Sequence, residues 1–277
     1  MKLVVVSDVH GNIEALDAVL RDADATAPGA PLICAGDIVG YGPDPEACIR
    51  RLRARGALCV MGNHEEMVLG QRDFSHCVHA GIVAAVWTRE RGLSAEARAF
   101  ITALPRWRTV APDVVVCHGD LRDAGRYVSD AAAAAEALAQ LAVLSDDAKL
   151  LVCGHTHHAA LYGASWGFER IGENEDRRLP RGPVLLNPGA VGQARERAAR
   201  PSARYAIVDL ARRAVRFRAV AYLHGVTLRK MRRAGLVDRV VLEPPHGLRR
   251  RVEGWKTRLA RRWAAQRPTD VPSPLDR

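Results

Sequence analysis

Eight side chains spread over about 150 positions are of types that hold divalent metal ions: Asp8, His10, Asp37, Asn63, His64, His118, His155 and His157. They fall in five short clusters: Asp8-x-His10, Gly36-Asp37, Gly62-Asn63-His64-Glu65, His118-Gly119 and Gly154-His155-x-His157. Carboxylates, imidazoles and one amide, with no thiolate among them, suit borderline-to-hard ions such as Mn²⁺, Fe or Zn²⁺. Taken singly, each has a plain structural reading. Asp37 can cap a helix, Asn63 can sit in a turn after Gly62, and His118 can be a satisfied core histidine. Five such clusters, each at the end of an apolar run, point instead to one metal site.

Those apolar runs are the elements that must position the clusters. Leu3–Val6, Pro31–Cys34, Leu58–Met61, Val114–Cys117, Leu150–Cys153 and Val184–Leu186 read as strands buried on both faces. Helical patterns lie between them: one capped by Asn12 with Ile13, Leu16, Val19 and Leu20 on a face, then 44–55, 77–91 and the Ala-rich 129–144. Strands alternating with helices predict an α/β fold with a largely parallel sheet. The runs near 159–162, 168–171, 205–209 and 215–222 alternate more closely and suggest hairpins in a second, more antiparallel sheet. In open α/β sheets, the loops at the carboxyl ends of strands share one crevice. Within Asp8-x-His10 and His155-x-His157, strand geometry would put both side chains on one face.

The 277 residues are 48% apolar, enough for a core of one large domain or two small ones, and no window approaches a membrane span. An acidic residue follows the first apolar run by position 8, so no signal peptide is expected. Six cysteines form no C-x-x-C pair, and Cys34, Cys59, Cys117 and Cys153 sit in apolar runs, which suits buried thiols in a cytoplasmic protein. The net charge of +10 is concentrated in residues 201–277, which carry 19 basic residues against 6 acidic ones. Almost all of the basic residues are arginine, so the charge alone is not read as nucleic-acid binding.

As a set, the five clusters resemble the signature of calcineurin-like metallophosphoesterases in order and spacing. Gly40-Tyr41-Gly42-Pro43-Asp44-Pro45 and Asn187-Pro188-Gly189-Ala190-Val191-Gly192-Gln193 resemble its small bacterial and archaeal phosphodiesterase branch. The resemblance runs from residue 3 to about 222. It implies two facing mixed β-sheets flanked by helices, in a metallophosphoesterase domain taken here as 1–225; the basic extension over 226–277 draws no support from the resemblance and is read as helical from its own residues. The resemblance also implies two metal ions. Asp8, His10 and His157 would hold one, Asn63, His118 and His155 the other, with Asp37 bridging. Two such ions, roughly 3.5–4 Å apart, clamp a phosphate and acidify a bridging water; the hydroxide attacks phosphorus, and His64 assists the leaving group.

The chain departs from the family at one informative place. Phosphoprotein phosphatases and symmetrical diadenosine-tetraphosphate hydrolases carry a pattern like G-D-x-x-D-R-G, whose second Asp orients the catalytic His and whose Arg binds phosphate. Here Gly40 and Tyr41 stand at those positions. Tyr41 is a candidate to line the substrate cleft, and Arg195 a candidate phosphate ligand.

The expected activity is therefore metal-dependent hydrolysis of a small phosphodiester or nucleotide. A nuclease on single-stranded nucleic acid and a non-catalytic scaffold are the alternatives, with phosphoprotein phosphatase activity less favoured. In the extension, Leu248, Val252, Trp255, Leu259 and Trp263 recur on one helical face among arginines. That stripe is expected to pack on the protein's own domain; a homodimer contact, an anionic membrane or nucleic acid are its other possible partners. Pro268, Pro272 and Pro274 suggest a frayed end.

Overall fold

Leu3, Val4, Val5 and Val6 alternate between two cores, which is why all four are apolar. The computed structural model describes residues 1–195, 201–237 and 248–267. Its strands are β1 (Lys2–Val6), β2 (Leu32–Cys34), β3 (Leu58–Cys59), β4 (Trp107–Ala111), β5 (Val114–Cys117), β6 (Leu150–Val152), β7 (Ala159–Gly163), β8 (Gly167–Arg170), β9 (Asp176–Arg178), β10 (Val184–Pro188), β11 (Ser202–Asp209) and β12 (Ala214–Ala221). Its helices are α1 (Ile13–Thr26), α2 (Pro45–Ala54), α3 (Asn63–Val68), α4 (His79–Trp87), α5 (Ala95–Thr102), α6 (Ala131–Leu144), α7 (His224–Arg233) and α8 (Leu248–Ala265). A π-helical turn, Thr88–Gly92, continues α4.

The strands form two mixed six-stranded sheets, ordered β3-β2-β1-β11-β12-β9 and β4-β5-β6-β10-β7-β8. The six apolar runs are all strands, and they are the parallel parts: β1, β2 and β3 in one sheet, β5, β6 and β10 in the other. The later, alternating runs do form hairpins, but they build no sheet of their own. β7–β8 extends one sheet beside β10, and β11–β12 extends the other beside β1. Each sheet therefore has two parallel and three antiparallel pairings.

The core between the sheets is filled by Leu3, Val5, Ile33, Val114, Val116, Val152, Leu161, Leu186, Val208 and Phe217. The outer face of the first sheet is covered by α1, α2 and their neighbours through Leu16, Val19, Ile49 and Leu52, and that of the second by α6 through Ala134, Ala137 and Leu141. All six cysteines are free; Cys34, Cys59, Cys117 and Cys153 are buried as expected.

Helix α7 rests on α1: the Thr227 hydroxyl reaches Asn12 Oδ1 and Glu14 Oε2, and Lys230 Nζ lies 2.5 Å from Glu14 and 2.9 Å from Asp44. Helix α8 is held differently from the sequence expectation. The face that packs on α4 carries Ala260 and Ala264, against Ile82 and Val86. Arg261 donates to the Ser75 carbonyl, and the Thr257 hydroxyl accepts from His79 N–H. The Val252, Trp255, Leu259 and Trp263 stripe lies outside that contact and stays at least 39% exposed, with Leu259 and Trp263 lining a groove beside Val83 and Trp87 of α4. A four-residue line of large apolar groups attracts the eye in a sequence, yet the small residues beside it allow the closer helix approach. The Leu248 side chain and Pro268, Pro272 and Pro274 lie outside the described residues. Among the described residues, no helix is long and apolar enough to cross a membrane.

Candidate metal centre

The five clusters converge because β1, β2, β3, β5 and β6 all end at the same edge of the facing sheets. Their loops then bind one another through the backbone. Asp8 N–H donates to Gly36 O, His10 N–H to Asp37 O, Gly154 N–H to His118 O and Gly192 N–H to Asp8 O. Asn187 donates to Gly154 O, tying β10 to the His155 loop.

The convergence does not come from strand geometry. Asp8, His10, Asp37, Tyr41, His155 and His157 all have φ between 49° and 65°. Left-handed backbone at both Asp8 and His10, and again at both His155 and His157, turns the i and i+2 side chains inward after the strands have ended. Such conformations cost on the order of 1–3 kcal/mol each for non-glycine residues, and Asp and His are among the types that bear them most easily. Glycines supply the close approaches: a Cβ on Gly62 would lie 2.2 Å from Asp37 Oδ1, and one on Gly154 1.9 Å from Ser7 Oγ.

All seven expected ligands meet here, and all are buried. The Asp8, His10 and His157 donor atoms lie within 4.8 Å of one another, as do those of Asp37, His118 and His155. Asn63 Oδ1 is 3.1 Å from His118 Nε2. The His10, Asp37 and His64 atoms form a third such group, so His64 stands close enough to compete as a ligand.

Backbone carbonyls fix the imidazole tautomers. The Nδ1–H of His10 donates to Val39 O at 3.0 Å, that of His118 to Ala35 O at 2.6 Å, and that of His157 to Gln193 O at 2.6 Å. Each turns its Nε2 toward the cluster. His155 is turned the other way, with Nε2–H on Gly125 O at 3.1 Å, which leaves Nδ1.

This donor set fits divalent cations. The Nε2 atoms of His10 and His157 face each other at 3.1 Å, lone pair against lone pair. Among the described residues, the buried Asp8 Oδ1 and Asp37 Oδ2 have no hydrogen-bond partner, although Asp37 Oδ2 is 3.1 Å from His118 Nε2 and Asp8 Oδ1 is 3.2 Å from His157 Nε2. Burial alone would lower the His118 ring, but Asp37 and Asp8 outweigh it and push that ring up to about 10. Against the same burial, His157 and His118 hold Asp8 well below the carboxylate range. The cluster thus calls for positive charge among its donors.

His64 differs from the ligands. Its backbone N–H donates to Asp37 Oδ1 at 2.9 Å, its Nδ1 has no partner among the described residues, and burial brings the ring down to about 4. A Cβ on Gly40 would come 2.2 Å from that Nδ1. Tyr41 is buried and packs its ring on His10 at 4.7 Å and on His64 at 4.8 Å, so it walls the site from behind. Arg195 donates to the Tyr127 hydroxyl at 3.0 Å; burial lowers the His157 ring, and Arg195 adds to that through space.

Two residues went unassigned in the sequence. Glu65 is fully buried and its carboxylate accepts from the N–H groups of Asp37, Val39 and Gly62, clamping two ligand loops together. Its place three residues after Gly62 is the capping-box spacing, a legible signal. Tyr127, with its ring 4.1 Å from His155, comes from an irregular loop and has no such signal.

Comparison with known proteins agrees with this geometry. The calcineurin-like phosphoesterase superfamily domain matches residues 1–213. A metallophosphoesterase structure from Sphaerobacter thermophilus superposes with a TM-score of 0.72 at 32% identity, covering 87% of this chain and 97% of that one. An uncharacterised protein of Methanocaldococcus jannaschii is 28% identical over 208 residues, 70% of this chain and 77% of that protein. A shorter match, 40% identical over 67 residues, joins 24% of this chain to 24% of a symmetrical bis(5'-nucleosyl)-tetraphosphatase from Janthinobacterium. Architecture, donor set and the match over 1–213 lead to one assignment: the chain belongs to the calcineurin-like phosphoesterase superfamily, and is a hydrolytic phosphoesterase of a metal-dependent family.

Proposed function

We propose that this protein hydrolyses small phosphodiesters or nucleotides with two divalent ions, held by Asp8, His10 and His157 and by Asn63, His118 and His155, with Asp37 shared. The observation that carries this is the pair of unpartnered carboxylate oxygens of Asp8 and Asp37, each facing histidine Nε2 atoms in a buried site. When bound, the ions supply Lewis-acid charge for phosphoryl oxygens and bring the pKa of water toward neutrality. The catalytic unit in this reading is 1–225, with 226–277 as an extension.

The chain's own residues do the rest. The carbonyl-anchored imidazoles and the Glu65 clamp hold the ligands in place before substrate arrives, so little reorganisation remains. His64, neutral through burial, is placed to donate a proton in a hydrogen bond to a phosphoryl or leaving oxygen. Arg195, beside Tyr127, supplies a fixed positive charge at the cluster for an anionic substrate. Gly40 leaves His64 Nδ1 without an orienting carboxylate, which argues against a phosphoprotein phosphatase arrangement.

The test is a screen of metal-reconstituted protein on bis-p-nitrophenyl phosphate, p-nitrophenyl phosphate, cyclic nucleotides, dinucleoside polyphosphates and single-stranded DNA, with metal content measured in parallel. Two Mn²⁺ per chain and preference for the diester or a nucleotide are expected. Saturation at one ion per chain removes the shared role of Asp37.

A further inference from the structure

Helix α8 has two faces that the fold treats oppositely. Thr257, Ala260, Arg261 and Ala264 hold it to α4 and the loop before it. At 3.6 residues per turn, Val252, Trp255, Leu259 and Trp263 fall within an arc of about 80°, centred about 150° from that contact. They are 43%, 57%, 45% and 39% exposed, so four large apolar groups line three turns of the surface. A groove of about 450 Å³ between α4 and α8 opens beside them and continues the apolar surface through Val83 and Trp87. Exposed Lys256, Arg258 and Arg262 flank the line.

We propose that this face of α8 docks the protein on an anionic lipid surface. An indole and aliphatic stripe bordered by cations is the make-up of a helix lying in the headgroup region: the apolar groups enter the acyl boundary and the cations meet lipid phosphates. Arginine and lysine alone would serve a nucleic-acid backbone, but Val252 and Leu259 offer it nothing. A second copy of the chain fits less well. A two-fold contact sets the stripe against itself and brings Lys256, Arg258 and Arg262 against their own copies, like charge on like charge. With 18 residues and abundant arginine, α8 lies on a bilayer rather than crossing it.

The full chain is to be sedimented with large vesicles of phosphatidylcholine alone or mixed with phosphatidylglycerol, at low and high salt. Binding to the mixed vesicles only, weakened by salt, is expected. Brominated lipid should quench tryptophan emission in the bound state. Trp255→Ser combined with Leu259→Ser should weaken binding at least about tenfold, while circular dichroism and diester turnover stay unchanged, because neither residue belongs to the Ala260–Ala264 contact with Ile82 and Val86. Arg258→Glu with Arg262→Glu should do the same. Absence of binding to the mixed vesicles overturns the proposal. So does binding that survives either double substitution. DNA binding or a concentration-dependent dimer that the serine pair abolishes, with vesicle binding untouched, assigns the face to that partner instead.

Discussion

The candidate metal centre and the α4–α8 corner are built on opposite principles. At the centre, buried charged groups and left-handed backbone are tolerated because five strand ends and the Glu65 carboxylate over-determine the loops. At the corner, two alanines make the contact and the large side chains are left outside. Chemistry is concentrated where the backbone is most constrained, and surface exposure where packing is simplest. A site of the first kind loses function readily with modest change in fold, while a contact of the second kind shifts stability without touching function.

The sharpest way to break this contrast is at Asp37. Asp37→Asn removes the carboxylate oxygen facing both His118 and His10, and diester turnover should fall by about 10³-fold or more with metal content reduced. His64→Ala should cost about 10²-fold in turnover with metal content unchanged; an emptied site would make His64 a ligand.

The corner gives smaller effects of the other kind. Ala264→Leu should lower stability by about 1–3 kcal/mol through overpacking against Ile82 and Val86, whereas Leu259→Ala should stay within about 0.5 kcal/mol. Urea unfolding of both variants decides which face is packed, and diester turnover should be normal in each.

A control away from both regions is Asp22, which accepts from Arg218 and Tyr205 to tie α1 to β11 and β12. The Arg218 hydrogen bond, reinforced by Tyr205 and opposed by partial burial, lowers its pKa. The folded-state pKa lies below the unfolded value near 3.9, so the stabilisation is complete above that value and is lost as pH falls through the folded pKa. Asp22→Asn should therefore cost about 1 kcal/mol at pH 7, and the gap from the parent protein should close in acid.

How much of this was legible in the sequence follows the same division. Donor types written at the ends of β-branched runs pointed to the residues that converge in the candidate centre, since few other reasons put Asp8, Asp37 and His118 at such places. The means of convergence was not legible: the strand rule that i and i+2 share a face gave the right neighbours through the wrong geometry. Left-handed backbone at His10 and His157 is set by the loops they touch, not by their identity. The face of α8 was misjudged because a periodic pattern of large residues marks an apolar surface without saying what covers it. Ala260 and Ala264 carried no signal strong enough to outweigh the tryptophans beside them. The hairpins were legible one by one, but which sheet each joined was decided by pairings such as Val5 with Ala206, far apart in the chain.

That last pairing has a consequence for how the protein is made. β1 lies between β2 and β11, and its antiparallel partner begins at Ser202. At translation speeds of roughly 5–20 residues per second, the edge of β1 that β11 will cover waits on the order of 10–40 s before its partner is synthesised. During that interval Val4 and Val5 sit on an open, apolar strand edge, and the loop bearing Asp8 and His10 lacks the Gly192 and Thr227 contacts that close it. The centre is thus completed late, after most of the chain exists. Slowed synthesis in the stretch before β11 should prolong the exposure of the β1 edge and raise the fraction lost to aggregation.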